Sequence, residues 1–356
     1  MTHLTPGDPA PWFTARTPLR PDFQFGAVAG RALVLSFIGS AGLAPGKAML
    51  EGLLAARSRF DGAGLFIVSQ DGEDEARGRI PVGDGVHVFW DADARIAALY
   101  GLAATDAAGQ PALRRASFVL DPMLRVVRVV PFGDPAVHGR DVAAALAIPA
   151  LPQPAPALLL PRIFEPEFCR DLIALYALGE TMDSGFMLTD PATGKTVLQH
   201  DHRMKRRRDC VIEDEAVRQQ IQVRLKRRLV PQIAKAFQFH ATRIERYIVA
   251  RYDATEGGHF QPHRDNTTKG TAHRRFAVTI NLNAEDYEGG DLVFPEFGPL
   301  AWRAPTGGAV VFSCSLQHEA KAVTRGARYC FLPFLYDEAA AKIRETNRTF
   351  VDLPKD

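Results

Sequence analysis

The sequence predicts two domains of different class: an α/β domain, then an α+β domain whose short strands form an antiparallel barrel or jelly roll on supporting helices. Three observations predict this. Strand-like and helix-like stretches alternate through residues 1–148. Residues 149–157 are proline-rich. From residue 243 onward, short strands follow one another with turns between, after a helical stretch. A chain of 356 residues agrees, at about 150 residues per domain.

In the first domain, Ala32 to Ile38 is a continuous apolar run of strand length, followed by a helix from Gly46 to Arg59. Strands at 65–69 and 86–89 come next, then a short helix over 94–99. Strands 117–120 and 125–130 flank Asp121-Pro122, a hairpin turn signal, and a helix over 139–146 closes the domain. Strands separated by helices indicate a sheet covered on both faces. The prolines 149, 152, 154 and 156 then exclude helix or central strand, and 149–157 reads as an extended linker.

The second domain, 158–356, opens with a helix around Phe168 to Tyr176 and a longer one from about Glu213 to Phe237. The apolar stripe of the longer helix is Ile221, Val223, Leu225, Leu229, Ile233 and Phe237. Strands are expected over 244–252, 274–283, 289–294, 308–313 and 328–334. The second of these places Phe276, Val278, Ile280 and Leu282 on one face and Ala277, Thr279, Asn281 and Asn283 on the other. Small and polar residues on that second face suit a lumen holding a polar ligand.

Composition excludes several classes. Lys+Arg 43 against Asp+Glu 41 leaves +2, too balanced for a dedicated nucleic-acid or membrane binder. No apolar run approaches the ~18 residues of a membrane span, and the first residues lack the pattern of a secretory signal. Four scattered cysteines make no disulfide framework, so a reducing, cytoplasmic compartment is expected. Seven of ten histidines follow residue 157, which points metal or acid–base chemistry to the second domain.

There, His263-Arg264-Asp265 is followed 53 residues later by His318. In extended backbone, residues i and i+2 point the same way, so His263 and Asp265 can share one ion. A histidine from a distant strand completes a two-His-one-carboxylate face that leaves coordination positions open. Tyr252 lies 11 residues before His263 and Arg328 lies 10 after His318. A buried arginine at the start of the last strand requires an anion, and its planar fork suits a carboxylate.

Other polar features read as structural. His259 follows Gly257-Gly258 and reads as a mouth or surface residue. His200-Asp201-His202 is a competing HxH in a polar loop without a third ligand nearby in sequence. His240 and His273 read as satisfied surface residues, and Cys314 and Cys330 as core fillers. The basic run Arg203 to Arg208 could meet phosphate or an acidic partner, but charge runs usually face water, so a solvated or salt-bridged strand near the barrel mouth is expected.

Two resemblances attach to these motifs. Tyr252…His263-Arg264-Asp265-Asn266…Glu288-Gly289-Gly290-Asp291-Leu292-Val293-Phe294-Pro295…His318-Glu319…Arg328-Tyr329 resembles the Fe(II)/2-oxoglutarate dioxygenases of the prolyl 4-hydroxylase-like branch. The resemblance implies a double-stranded β-helix (jelly-roll) barrel, with His263, Asp265 and His318 as iron ligands. It implies that Arg328 pairs with the distal carboxylate of 2-oxoglutarate and that Tyr252 hydrogen-bonds it. Asn281 is a weaker candidate for a further cosubstrate contact. Fe(II), 2-oxoglutarate and O2 are implied, with ascorbate as a further candidate ligand. The substrate is left open: a prolyl or other residue in a protein, a free amino acid, or a small molecule. Arg264, inside the HxD, must point away from the metal.

The first domain resembles the peroxiredoxin branch of the thioredoxin-like fold. It does so through Gly7-Asp8-Pro9-Ala10-Pro11-Trp12-Phe13-Thr14, Phe89-Trp90-Asp91-Ala92-Asp93, Leu99-Tyr100-Gly101-Leu102 and Ser117-Phe118-Val119-Leu120-Asp121. Such enzymes need a thiolate at the turn after the first long strand. Here that turn, 39–46, holds no cysteine, and the first in the chain is Cys169. A catalytically silent domain is expected, serving binding, positioning or homodimer formation. The competing reading of the whole chain is a non-catalytic two-domain binding or scaffold protein.

Overall fold

Leu33–Gly39 (β1) is buried along its whole length and on both faces, which is why its sequence shows no alternation. Leu33, Leu35 and Phe37 enter one core with Phe66, Phe89 and Phe118. Val34 and Ile38 enter the other, beneath the helices Ala44–Ala55 (α1) and Pro135–Leu146 (α2). The remaining strands are Gly64–Ser69 (β2), Val86–Trp90 (β3), Ala116–Leu120 (β4) and Val126–Pro131 (β5). The sheet order is β3-β2-β1-β4-β5, with β1, β2 and β3 parallel and the last two antiparallel to their neighbours. Helix α2 begins four residues before its predicted start, because the Asp134 side chain accepts from Ala136 N and caps it.

This structure is a computed structural model and describes residues 4–105, 111–148 and 153–352. The chain divides into two compact units, one of residues up to Gln153 with 296–298, the other of Pro154–Pro295 with 299 onward. Residues 149–152 of the predicted linker lie outside the described residues. Its last residue, Ala157, starts a strand, Ala157–Leu160 (β6), on the edge of the large sheet of the second unit. No proline falls between Pro156 and Pro161, so residues 157–160 are open to pairing at the sheet edge.

In the second unit, helix Pro166–Leu178 (α3) is followed by strands Thr181–Asp183 (β7), Lys205–Arg206 (β8) and Arg208–Val211 (β9). The long helix is Glu215–Arg224 (α4), a π turn over Leu225–Leu229, then Val230–Phe237 (α5). Pro231 has no N–H to give to the preceding turn, and a π turn is one way to absorb the loss. Ile221, Leu225, Leu229 and Ile233 are all buried in one core, worth about 1.5–3 kcal/mol each. Val223, counted in the same stripe from sequence, is exposed instead. At two residues from both Ile221 and Leu225 it faces the other side of the helix.

Then come Arg243–Glu245 (β10), Ile248–Asp253 (β11), His259–His263 (β12), Phe276–Asn281 (β13), Leu292–Val293 (β14), Ala301–Trp302 (β15), Ala309–Ser313 (β16), His318–Ala320 (β17), Ala327–Phe331 (β18) and Phe334–Tyr336 (β19). The large sheet runs β6-β16-β13-β18-β11-β9-β7, with β10 and β19 paired at its side. A second sheet runs β8-β12-β17-β14-β15. Phe276, Val278, Ile280 and Leu282 pack into the core with the helices, as the alternation predicts. The single strand expected over 244–252 is two strands, because Arg246 between them adopts a left-handed φ of +68°. Among the described residues, no helix is long and apolar enough to cross a membrane.

Candidate metal centre and its cavity

His263 ends β12 and stands opposite His318, the first residue of β17, in a strand pair whose register slips between Phe260 and His263. Asp265 follows two residues after His263, and its backbone N–H donates to the Cys314 carbonyl (3.0 Å). One ligand atom from each of His263, Asp265 and His318 lies within 4.8 Å of the others. Asp265 Oδ1 is 3.7 Å from His263 Nε2, and Oδ2 is 3.3 Å from His318 Nε2.

The outer nitrogens decide what these atoms are. His263 Nδ1 lies 2.8 Å from the Gln261 carbonyl, and His318 Nδ1 lies 3.1 Å from the Leu316 carbonyl. A carbonyl only accepts, so each Nδ1 carries a proton and each ring turns its Nε2 inward, the nitrogen that can act as a ligand. Two ring nitrogens and a carboxylate thus converge on one point. Such a trio can hold a metal ion, and the donor set of two nitrogens and one oxygen fits Fe(II). Burial, with His318 next to it, pushes His263 well below the ordinary imidazole value. Burial alone would raise Asp265, but His318, His263, Arg274 and Arg246 together hold it below. Phe260 stacks on His263 and Phe312 packs against His318, fixing both rings.

The trio opens into a cavity lined by both sheets, among whose residues are Lys205, Arg207, Arg246, Tyr252, Thr279 and Arg328. Arg328 is 3% exposed. Its Nη1 donates to the Gly290 carbonyl at 2.7 Å, while its buried Nε has no hydrogen-bond partner. It forms no ion pair among the described residues, so a buried guanidinium faces the cavity in need of an anion. Tyr252 stands opposite it in register. Burial pushes the Tyr252 hydroxyl up, so it keeps its proton and can donate.

Asn281 is placed differently from expectation. Its amide donates to the Ala304 carbonyl at 2.7 Å, and the cavity lining reaches Thr279 two residues earlier but not Asn281. Arg264 donates to the Ser315 carbonyl, away from the trio. His259 bonds the Gly257 and Arg203 carbonyls, and His200 and His202 share one oxygen of Asp183. His273 is buried rather than on the surface, 2.6 Å from Glu245 Oε2, because Glu245 and Arg274 form an internal ion pair that includes it. Cys314, just after β16, and Cys330, within β18, are both buried.

The basic run is the largest departure from expectation. Lys205 and Arg207 are 3% and 4% exposed, not solvated. Arg207 pairs with Asp209 through two bonds of 2.7 and 2.6 Å. Lys205 donates to Ser184 Oγ and the Gly185 carbonyl. The signal was present in the spacing: Lys205, Arg207 and Asp209 alternate with period 2, two cations and their acid along the extended stretch that leads from β8 into β9. Arg246 was missed because nothing in the sequence marks its left-handed backbone.

In the first unit, the turn after β1 is closed by carboxylates. Ser40 Oγ donates to Asp71 (2.6 Å), the Ala41 N–H donates to Asp74 (2.8 Å), and Arg79 bonds both acids at 3.1 Å.

Comparison with known proteins agrees with the motifs of the second unit. Residues 247–336 match the 2OG-Fe(II) oxygenase superfamily. The PKHD-type hydroxylase PiuC of Pseudomonas aeruginosa is 35% identical over 83 residues, 21% of this chain and 37% of that protein. The chain thus spans well under half the length of the curated relatives it matches. Among solved structures, a prolyl hydroxylase from Trichoplax adhaerens in complex with a hypoxia inducible factor peptide aligns with TM-score 0.42 and 17% identity, over 53% of this chain and 86% of that one. The peroxidoxin BcpB of Mycobacterium tuberculosis aligns with TM-score 0.35 and 20% identity, over 42% of this chain and all of that one.

Proposed function

We propose that the second unit is a double-stranded β-helix hydroxylase that uses Fe(II), 2-oxoglutarate and O2, with His263, Asp265 and His318 as the iron ligands. The observation that carries this reading is the convergence of two inward-facing Nε2 atoms and one carboxylate. Bound there, iron with 2-oxoglutarate and O2 supplies the oxidising power: 2-oxoglutarate leaves as succinate and CO2, one oxygen atom goes to succinate and the other to a C–H bond of the substrate.

The chain's own residues supply position and dryness. The Arg328 guanidinium receives the distal carboxylate of 2-oxoglutarate as a planar fork, and the Tyr252 hydroxyl donates to the same group. Leu292, Phe312 and Ala320 line the cavity with apolar surface that limits water near the reacting atoms. The first unit is read as silent toward peroxide, since no cysteine precedes Cys169. Its role is then binding, positioning or the pairing of two copies.

The test is anaerobic addition of Fe(II) and 2-oxoglutarate to the full chain. A visible charge-transfer band and succinate formation on admission of air are expected. Absence of both overturns the assignment.

A further inference from the structure

Arg246 is a second unpaired guanidinium in the cavity, and the reading above gives it no task. Its Nη2 makes one bond, 3.2 Å to the Leu332 carbonyl, and its buried Nε has no partner. Among the described residues it forms no ion pair. Its side chain lies over the Phe334 ring at 4.3 Å. Its backbone is held at φ +68°, a conformation that costs a non-glycine residue of order 1–3 kcal/mol and persists where the surroundings demand it. Neighbouring Glu245 acts on it only through space, because that carboxylate is bonded to His273 and Arg274.

Arg246 and Arg328 mark different ends of the cavity. Tyr252 pairs with Arg328, and Val249 with Phe331. The Leu332 carbonyl that holds Arg246 is therefore four residues beyond Arg328, about 13 Å along an extended strand. At that end Arg246 acts on Asp265, the carboxylate of the trio. Charge points the same way. Arg207 is offset by Asp209, so even with Lys205 left out Arg246 and Arg328 stand against Asp265 alone among the charged residues of the lining. A divalent ion adds two positive charges and 2-oxoglutarate removes two, leaving the loaded cavity with a positive excess.

We propose that Arg246, with Lys205 beside it, binds a carboxylate carried by the substrate, so that the enzyme takes small acids with an apolar body rather than neutral molecules. The inference rests on the hydroxylase reading and on Arg328 holding the cosubstrate. Phe312, Phe334, Leu332 and Pro333 offer the apolar body its contact. Burial, with Arg274 and Arg207 near, pushes Arg246 down only to about 10, so it stays charged at neutral pH. Burial depresses Lys205 well below its ordinary value, so Arg246 is the fixed charge of the pair.

The experiment is calorimetric titration of the full chain, loaded with redox-silent Mn(II) and saturating 2-oxoglutarate. The probes are isobutyrate against isobutyramide, and phenylacetate against phenylacetamide. At least one acid should bind ten or more times more tightly than its amide. Arg246→Met should abolish that preference and Arg246→Lys should keep part of it, with 2-oxoglutarate affinity retained in both. Acids binding no better than amides, or a preference that survives Arg246→Met, overturns the inference. If Arg246→Met does not fold, a preference in Arg246→Lys equal to or above the parent's does so. A parent chain that fails to bind 2-oxoglutarate overturns the hydroxylase reading instead.

Discussion

Tyr252 and Arg328 face each other across paired strands, with the guanidinium carbon 5.3 Å from the phenol ring centroid. The ring and the Gly290 carbonyl together hold a guanidinium that forms no ion pair among the described residues, so Arg328 is already in position before any ligand arrives. Such preorganisation lowers the cost of binding.

Metal and cosubstrate binding should therefore come apart by mutation. Arg328→Met removes one side of a buried charge pair, a loss of about 2–5 kcal/mol, or at least ~thirtyfold in 2-oxoglutarate affinity. Mn(II) affinity should stay within about threefold, since the three ligands are untouched. His318→Ala should do the reverse, lowering metal affinity first. Titrations of both ligands on both variants check this, and equal losses in all four would contradict it.

Glu245 ties together His273 and Arg274, whose guanidinium also donates to the Asp265 carbonyl. Burial would raise the Glu245 carboxyl, but Arg274 and His273 hold it well below the ordinary 4.5. A depressed folded value means that the ionised form stabilises the fold above pH 4.5, and that this contribution disappears as pH falls through the folded value. Glu245→Gln should cost about 3–5 kcal/mol at pH 7, because the buried Arg274 guanidinium loses its acid. The gap from the parent should narrow on acidification below about pH 5. Urea unfolding at pH 7, 5 and 4 measures it, and a gap that does not change with pH would refute the account.

All four cysteines are buried, and burial with Glu165 nearby pushes the Cys169 thiol up to about 12. Thiols of this kind are poor nucleophiles. Ellman's reagent should release four equivalents only after denaturation. Peroxide should persist in the presence of the native protein and a thiol reductant. Fast native reaction of even one thiol would contradict the burial.

What the sequence made legible follows from chemistry that has few solutions. His263 and Asp265, at i and i+2 where a strand ends, can turn toward one point and meet a histidine from a paired strand, so the pattern carried its own geometry. Alternation along 276–282 told inside from outside for the same reason. Other features were hidden because their cause is not local. A run of six residues with five cations reads as solvated unless Asp209 is counted with Lys205 and Arg207. His273 looks like a surface residue until Glu245, 28 positions earlier, is brought beside it. Arg246 sits within a good strand pattern, and only tertiary packing against Leu332 and Phe334 turns its backbone left-handed.

Gly290 links backbone conformation to cosubstrate binding and gives the last prediction. It sits at φ +67°, and its carbonyl accepts the 2.7 Å bond from Arg328. A Cβ there would lie 2.9 Å from Val323 Cγ2 and 3.3 Å from Arg328 Cδ. Gly290→Ala should cost about 1–2 kcal/mol of backbone strain and, by pressing on Arg328, weaken 2-oxoglutarate binding roughly three- to tenfold. Gly257→Ala is the matched control. Its φ is +66° and nothing lies within 4 Å of its Cβ position. The control should lose similar stability while keeping its cosubstrate affinity. Equal loss of affinity in both variants would show that strain anywhere in the unit weakens binding, and would remove the specific role given to the contact between Gly290 and Arg328.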